Sequence, residues 1–179
     1  MTEGSQDARF LELFPNWLKS LGEDAAILAE VLKKDVPEES RRSVAGGLNY
    51  IFKSLDLIPD GIDDLGFMDD AFVLRVAAAL AVSAHPESDE GRLQRLAEDA
   101  MVVQEFLGDD YPRLENYVQN LRKGAARGRT VDDIVGDGTV RDGFLREVQA
   151  WSEAFVPPSF TRDPKTLIKL RAFLSAKLP

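Results

Sequence analysis

Apolar residues recur at helical spacing in four well-separated parts of this chain. Leu93, Leu96, Ala97, Ala100 and Leu107 follow the pattern, as do Leu114, Tyr117, Val118, Leu121 and Ala125. Phe144, Val148, Trp151 and Phe155 repeat it, and so do Leu167, Leu170, Leu174 and Leu178. No stretch shows the period-two alternation of a half-buried strand. The pattern predicts an all-α fold: a compact bundle of about seven or eight helices, forming a single helical domain over residues 1–179.

Capping and breaking residues place the helices. A first helix is expected over 8–21, kinked or split at Pro15, because proline removes an internal donor. Gly22 should end it, and a second helix should run from Asp24 to Lys34. A third is predicted from Pro37 to about Lys53, with the Gly46-Gly47 pair inside it marking close approach of another backbone. A fourth is expected from Asp70 to His85, stopped by Pro86, and a fifth from Asp89 to Leu107. Asp110 should cap a sixth, Tyr111 to Ala126. Thr130-x-x-Asp133 and Thr139-x-x-Asp142 both have capping-box spacing, opening one turn to Gly136 and then a helix to Phe155. Asp163-Pro164 starts the last.

Composition narrows the chemistry. With 179 residues, 44% of them hydrophobic, the chain can bury a core without cross-links. It has no cysteine and one histidine, His85, so disulfides, a thiol nucleophile and the usual zinc ligand sets are excluded. No Gly-x-Ser-x-Gly, phosphate-binding loop or dinucleotide fingerprint is present. The longest apolar stretch, Ala71 to Ala84, is 14 residues interrupted by Arg75, and a bilayer span needs about 20. No basic, apolar leader precedes it. Residues 1–90 carry 8 basic against 18 acidic side chains, and residues 91–179 carry 14 against 13. Such a balance disfavours nucleic acid and anionic membranes. A cytoplasmic location is expected. The basic cluster Arg122, Lys123, Arg127 and Arg129 is read as a solvated helix end.

One segment departs from plain helix. Between Tyr50 and Asp70, six of 21 residues are aspartate, yet Leu57, Ile58, Ile62 and Phe67 lie among them. Pro59 drives Ile58 out of the helical region, and Gly61 and Gly66 permit a tight path. The segment is therefore expected to form an ordered apolar and acidic loop, packed between helices three and four. Here the chain resembles the YkvA-like domain of unknown function, widespread in bacteria. The resemblance rests on Tyr50, the run Asp56-Leu57-Ile58-Pro59-Asp60, Gly66, the pair Asp69-Asp70 and the apolar helix that follows, a motif region of about 45–84. It implies a helical fold and no established catalytic residue. Gly61 and Asp63-Asp64 make this loop more polar than is usual in that family, which argues against membrane association.

Two functions are compatible with these residues. The expected one is a non-enzymatic interaction or regulatory subunit, working through a protein partner or self-association and needing no cofactor. The alternative is a divalent-metal-binding protein or metal-dependent enzyme, with Asp56, Asp60, Asp69 and Asp70 offering oxygen ligands to Mg²⁺, Mn²⁺ or Ca²⁺. Against the metal stands a structural role in which Asp69 or Asp70 caps the fourth helix and Asp56 and Asp60 tie loop amides. Arg75, on an apolar helix, needs a partner if buried. Its side chain leans toward the helix start, so it is expected to pair with Asp56 or Asp60. Asp63 and Asp64 are expected to have no structural role.

Overall fold

The computed structural model describes residues 3–53, 56–86 and 91–179. Among these residues it is all-α apart from one small hairpin. The helices are α1 (Glu3–Leu32), α2 (Glu38–Tyr50), α3 (Met68–Ala84), α4 (Gly91–Leu107), α5 (Tyr111–Asn120), α6 (Val131–Gly136), α7 (Gly138–Ala154) and α8 (Pro164–Lys177). Short 3-10 turns flank α5 at Gly108–Asp110 and Leu121–Lys123. The hairpin pairs β1 (Ala125–Ala126) with β2 (Arg129–Thr130), antiparallel, about Arg127 and Gly128 at positive φ. The expected start of the fifth helix at Asp89 lies outside the described residues, as do Ser54 and Leu55 of the motif segment.

The two helices expected at the N-terminus are one. Phe10, Phe14, Trp17, Leu18, Leu21, Ala25, Leu28 and Leu32 form an unbroken buried stripe along α1 that runs past both Pro15 and Gly22. An internal proline costs about 3 kcal/mol, whereas each large side chain buried contributes about 1.5–3 kcal/mol. Burial therefore outweighs the breaker. Gly22 serves contact and not termination. A Cβ there would lie 2.7 Å from the Ser152 carbonyl oxygen, and the Ser152 hydroxyl donates to Gly22 O at 2.6 Å, joining α1 to α7. The motif loop consequently lies between the second and third helices. Gly47 behaves as expected of a close approach, since a Cβ on it would come within 2.6 Å of the Ala77 Cβ on α3.

Caps also differ from expectation at two places. Thr130 and Asp133 form the reciprocal capping box of α6, but α7 is capped by Asp137, which accepts from the Thr139 and Val140 amides. Asp110 makes no cap bond and instead takes a hydrogen bond from Arg113. Nor is the basic cluster simply solvated. Arg122 pairs with Glu39 and Arg129 with Glu147, while Arg127 stacks over Phe52 and Arg129 over Phe144.

α3 is the axis of the fold. It packs against α1, α2, α4 and α5, and every residue from 68 to 78 is buried. A helix covered on all sides reads as apolar all round, which is why its sequence lacks a polar face. Phe72 joins Phe10, Phe14, Trp17 and Phe106 in an aromatic cluster with ring centroids 4.9–6.0 Å apart. Buried apolar residues from each of the eight described helices join in one continuous core.

Arg75 sits within this core, 1% exposed, and does not pair with Asp56 or Asp60. Its Nη2 donates to Asp24 Oδ2 of α1 at 3.1 Å, its Nε to Asp99 Oδ2 of α4 at 3.2 Å, and its Nη1 to the Ala71 carbonyl at 3.1 Å. The guanidinium also lies 4.1 Å above the Trp17 ring. The expected lean toward the helix start is present, as the bond to Ala71 shows. The azimuth was not legible. At about 100° per residue, position 75 lies about 120–140° round the helix from Asp69 and Asp70, so it faces α1 and α4 and not the loop.

Removing one partner of a buried ion pair strands the other, typically at about 3–5 kcal/mol. Arg75→Met should therefore lower the denaturant midpoint strongly. Asp99→Asn should do so far less, because the Asp99 side chain is 35% exposed and water can replace its partner. Equal midpoints for Arg75→Met and the parent chain would contradict this role.

Candidate functional site

Asp56, Asp60, Asp69 and Asp70 meet at the start of α3. The loop that brings them together is shaped by a few local constraints. The Ile62 amide donates to Pro59 O at 3.1 Å and the Gly66 amide to Ile62 O at 2.9 Å, closing two successive turns. Gly66 then passes over the Asp60 carbonyl so closely that a Cβ would lie 2.1 Å from that oxygen. Only a residue without a side chain fits there. Leu57, Ile58 and Leu65 are buried beneath the loop, with Ile62 and Phe67 packed half-buried against the core.

Tyr50, the last residue of α2, joins the loop to the helix. Its hydroxyl donates to Asp69 Oδ2 at 2.5 Å and accepts from the Leu57 amide at 2.7 Å. The Ile58 amide also donates to Asp69 Oδ2, at 3.3 Å. Asp69 and Asp70 do not occupy the cap of α3: Phe67, at φ 69°, takes that position and makes no side-chain cap bond. They sit within that first turn, where the helix dipole favours negative charge.

One carboxylate oxygen from each of Asp60, Asp69 and Asp70 lies within 4.8 Å of the other two. Asp69 is 0% exposed and Asp70 2%, while Asp60 is at the surface and forms the mouth. Among the described residues, Asp69 Oδ1, Asp70 Oδ2 and Asp56 Oδ1 are buried without a hydrogen-bond partner. A buried carboxylate oxygen left unpaired is costly. No ion pair to any of the four aspartates is formed among the described residues, because Arg75 is taken up by Asp24 and Asp99. Lys53 acts on Asp56 and donates to the Tyr117 hydroxyl at 3.4 Å.

Acidity reflects this crowding. Burial, then the charges of Asp69 and Asp60, push the Asp56 carboxyl up to about 7, with Lys53 opposing. Asp69 is pushed up to about 6 by burial, against the hydrogen bonds from Tyr50 and Ile58. Asp70 lies well above the usual carboxylate range, from burial and then from Asp69, Asp60 and Asp56. Desolvation raises Asp60 as well. The same negative field and burial raise Tyr50, and hold Tyr117 at about 12.

The site thus gathers three of the four predicted metal residues as a converging set, with Asp56 beside them. All of the motif residues Tyr50, Pro59, Gly66, Asp69 and Asp70 have a role in building it, and Arg75 has none. Tyr117 and Lys53 are members that the sequence did not reveal. Tyr117 lies on the apolar stripe of α5 and gave no signal beyond core, although its ring meets Tyr50 edge-on at 6.1 Å. Asp64 also differs from expectation: at φ 66°, its Oδ1 accepts from both the amide and the hydroxyl of Thr161, at 2.8 and 2.9 Å. In comparisons with known proteins, no protein-family model, curated protein or solved structure matches this chain.

Carboxyls raised in the fold retain protons that the unfolded chain, near 3.8, has already released. Stability of the metal-free protein should then fall as pH rises from about 4 to about 7, the reverse of ordinary acid denaturation. Melting temperatures measured with chelator across that range test this; a steady rise toward pH 7 would show the carboxylates to be compensated. Gly66→Ala should disrupt the loop while leaving helix content by circular dichroism nearly intact.

Proposed function

We propose that the Asp60, Asp69 and Asp70 carboxylates bind a divalent cation, with Asp56 as a neighbouring acidic group. The observation that carries this reading is that Asp69 and Asp70, each with a buried oxygen lacking a hydrogen-bond partner, also bring a carboxylate oxygen within 4.8 Å of one another and of Asp60, with no ion pair to any of the three among the described residues. A hard ion is the matching ligand. The donor set is all carboxylate oxygen, suited to Mg²⁺, Mn²⁺ or Ca²⁺ and not to ions that prefer nitrogen or sulfur. Oxygens on opposite sides of a bound Ca²⁺ stand about 4.6–5.2 Å apart and those across Mg²⁺ about 4.0–4.2 Å, so three oxygens within 4.8 Å of one another can meet a Ca²⁺ as they stand and would draw closer round Mg²⁺. Exposure of Asp60 leaves room for water to complete the shell.

The role we assign is that of a regulatory or interaction subunit that responds to the cation. It is supported by a composition without a thiol, without a histidine pair and without a nucleophile motif. We also propose membership of the YkvA-like family, supported by the structural task that each motif residue performs: Tyr50 linking loop to helix, Pro59 and Gly66 shaping the turns, and the aspartates facing one another. Among the described residues, no helix is long and apolar enough to cross a membrane.

A cation at 100 times its dissociation constant adds about 2.7 kcal/mol to stability. Melting temperature in Mg²⁺, Mn²⁺ and Ca²⁺ at pH 7.5, against chelator, should rise for at least one of them. Asp70→Asn should abolish that rise while leaving the metal-free melting temperature unchanged or higher, because it removes a buried acid. Asp63→Ala should retain the full response. No shift with any of the three ions would sink the reading.

A further inference from the structure

Residues 155–162 run without regular structure from the end of α7 to the start of α8, across the acidic loop. This strap is largely exposed, with Val156 at 78%. Among the described residues, the bonds from the Thr161 amide and hydroxyl to Asp64 are the only hydrogen bonds tying it to another element. Its start is held by an edge-on contact of Phe155 with Phe67, ring centroids 5.1 Å apart. Both anchors, Asp64 and Phe67, are non-glycine residues at positive φ, a conformation that side chains disfavour. Gly66, between them, is the residue pressed onto the Asp60 carbonyl. Phe160 also packs half-buried against the core, but the polar hold of the strap is on the same short turn that positions the exposed carboxylate of the candidate cation site.

We propose that cation occupancy and strap docking are linked through the turn 64–67, so that binding at Asp60, Asp69 and Asp70 fastens residues 155–162 and loss of the ion loosens them. The inference rests on the cation reading above. A bound ion ties Asp60 of the loop to Asp69 and Asp70 of α3, which holds Gly66 against Asp60 and keeps Asp64 and Phe67 in their left-handed conformations. With the ion absent, that tie between Asp60 of the loop and the first turn of α3 is lost, and the two anchors are free to relax. Linkage is reciprocal, so releasing the strap must also weaken the ion's hold.

Amide hydrogen exchange of the full chain, with and without saturating Mn²⁺, reads the strap directly, and calorimetric Mn²⁺ titration reads the site. Exchange at residues 159–162, the Thr161 amide above all, should slow about tenfold on Mn²⁺ binding. Thr161→Val removes the hydroxyl donor without altering charge, so it should speed strap exchange and weaken Mn²⁺ binding several-fold. Asp64→Gly, which suits positive φ, should make strap exchange independent of Mn²⁺. Mn²⁺ binding with no change in strap exchange, or binding of parental strength in Thr161→Val, overturns the linkage while leaving the site intact. Absence of Mn²⁺ binding in the titration overturns site and linkage together.

Discussion

Burial on all sides obliges a helix to find, within the fold, a partner for each charge it carries, and α3 carries three on its buried stretch. Arg75 is satisfied by Asp24 and Asp99 from two different helices, by the Ala71 carbonyl and by the Trp17 ring. That assembly fastens α1, α3 and α4 at one point. It also leaves Asp69 and Asp70, one turn and more away, without a guanidinium. The same side chain that would have neutralised the acidic loop is used to join the helices, and the loop is left with a crowd of carboxyls that either hold protons, as their raised acidities allow, or take a cation.

The loop itself is built to keep those carboxylates together. Tyr50 binds Asp69 and Leu57 at once, Gly66 lies on the Asp60 carbonyl, and Asp64 and Phe67 hold unfavourable backbone angles. Strain and like-charge crowding in one 15-residue segment are unfavourable for folding alone. Both become useful if a cation is bound there, because the ion converts repulsion among the carboxylates into attraction. Capping, the simplest structural reason for acids at a helix start, is absent from α3.

Helix content and most helix positions were legible because apolar spacing and capping residues are local signals. α6 and α8 begin where Thr130-x-x-Asp133 and Asp163-Pro164 indicate. Local signals failed where a tertiary contact overrode them. Pro15 and Gly22 read as breakers, yet the buried stripe of α1 and its contact with Ser152 carry one helix through both. The candidate site was legible as a set of residues, since the unusual mixture of aspartate with apolar side chains marks it out. Its partners were not. Which way Arg75 points depends on an azimuth set by the packing of α1 and α4, and the bonds from Thr161 to Asp64 join positions 97 residues apart. Nothing in the spacing of either residue records such a contact.

If a cation balances the buried carboxylates at the start of α3, it should be visible there. Anomalous scattering from crystals grown in Mn²⁺ tests this most directly. The expected result is an anomalous peak bonded to the carboxylates of Asp60, Asp69 and Asp70, with Arg75 still engaged by Asp24 and Asp99. A map with no peak at these three side chains, or with a lysine or arginine turned in to meet them, would contradict it.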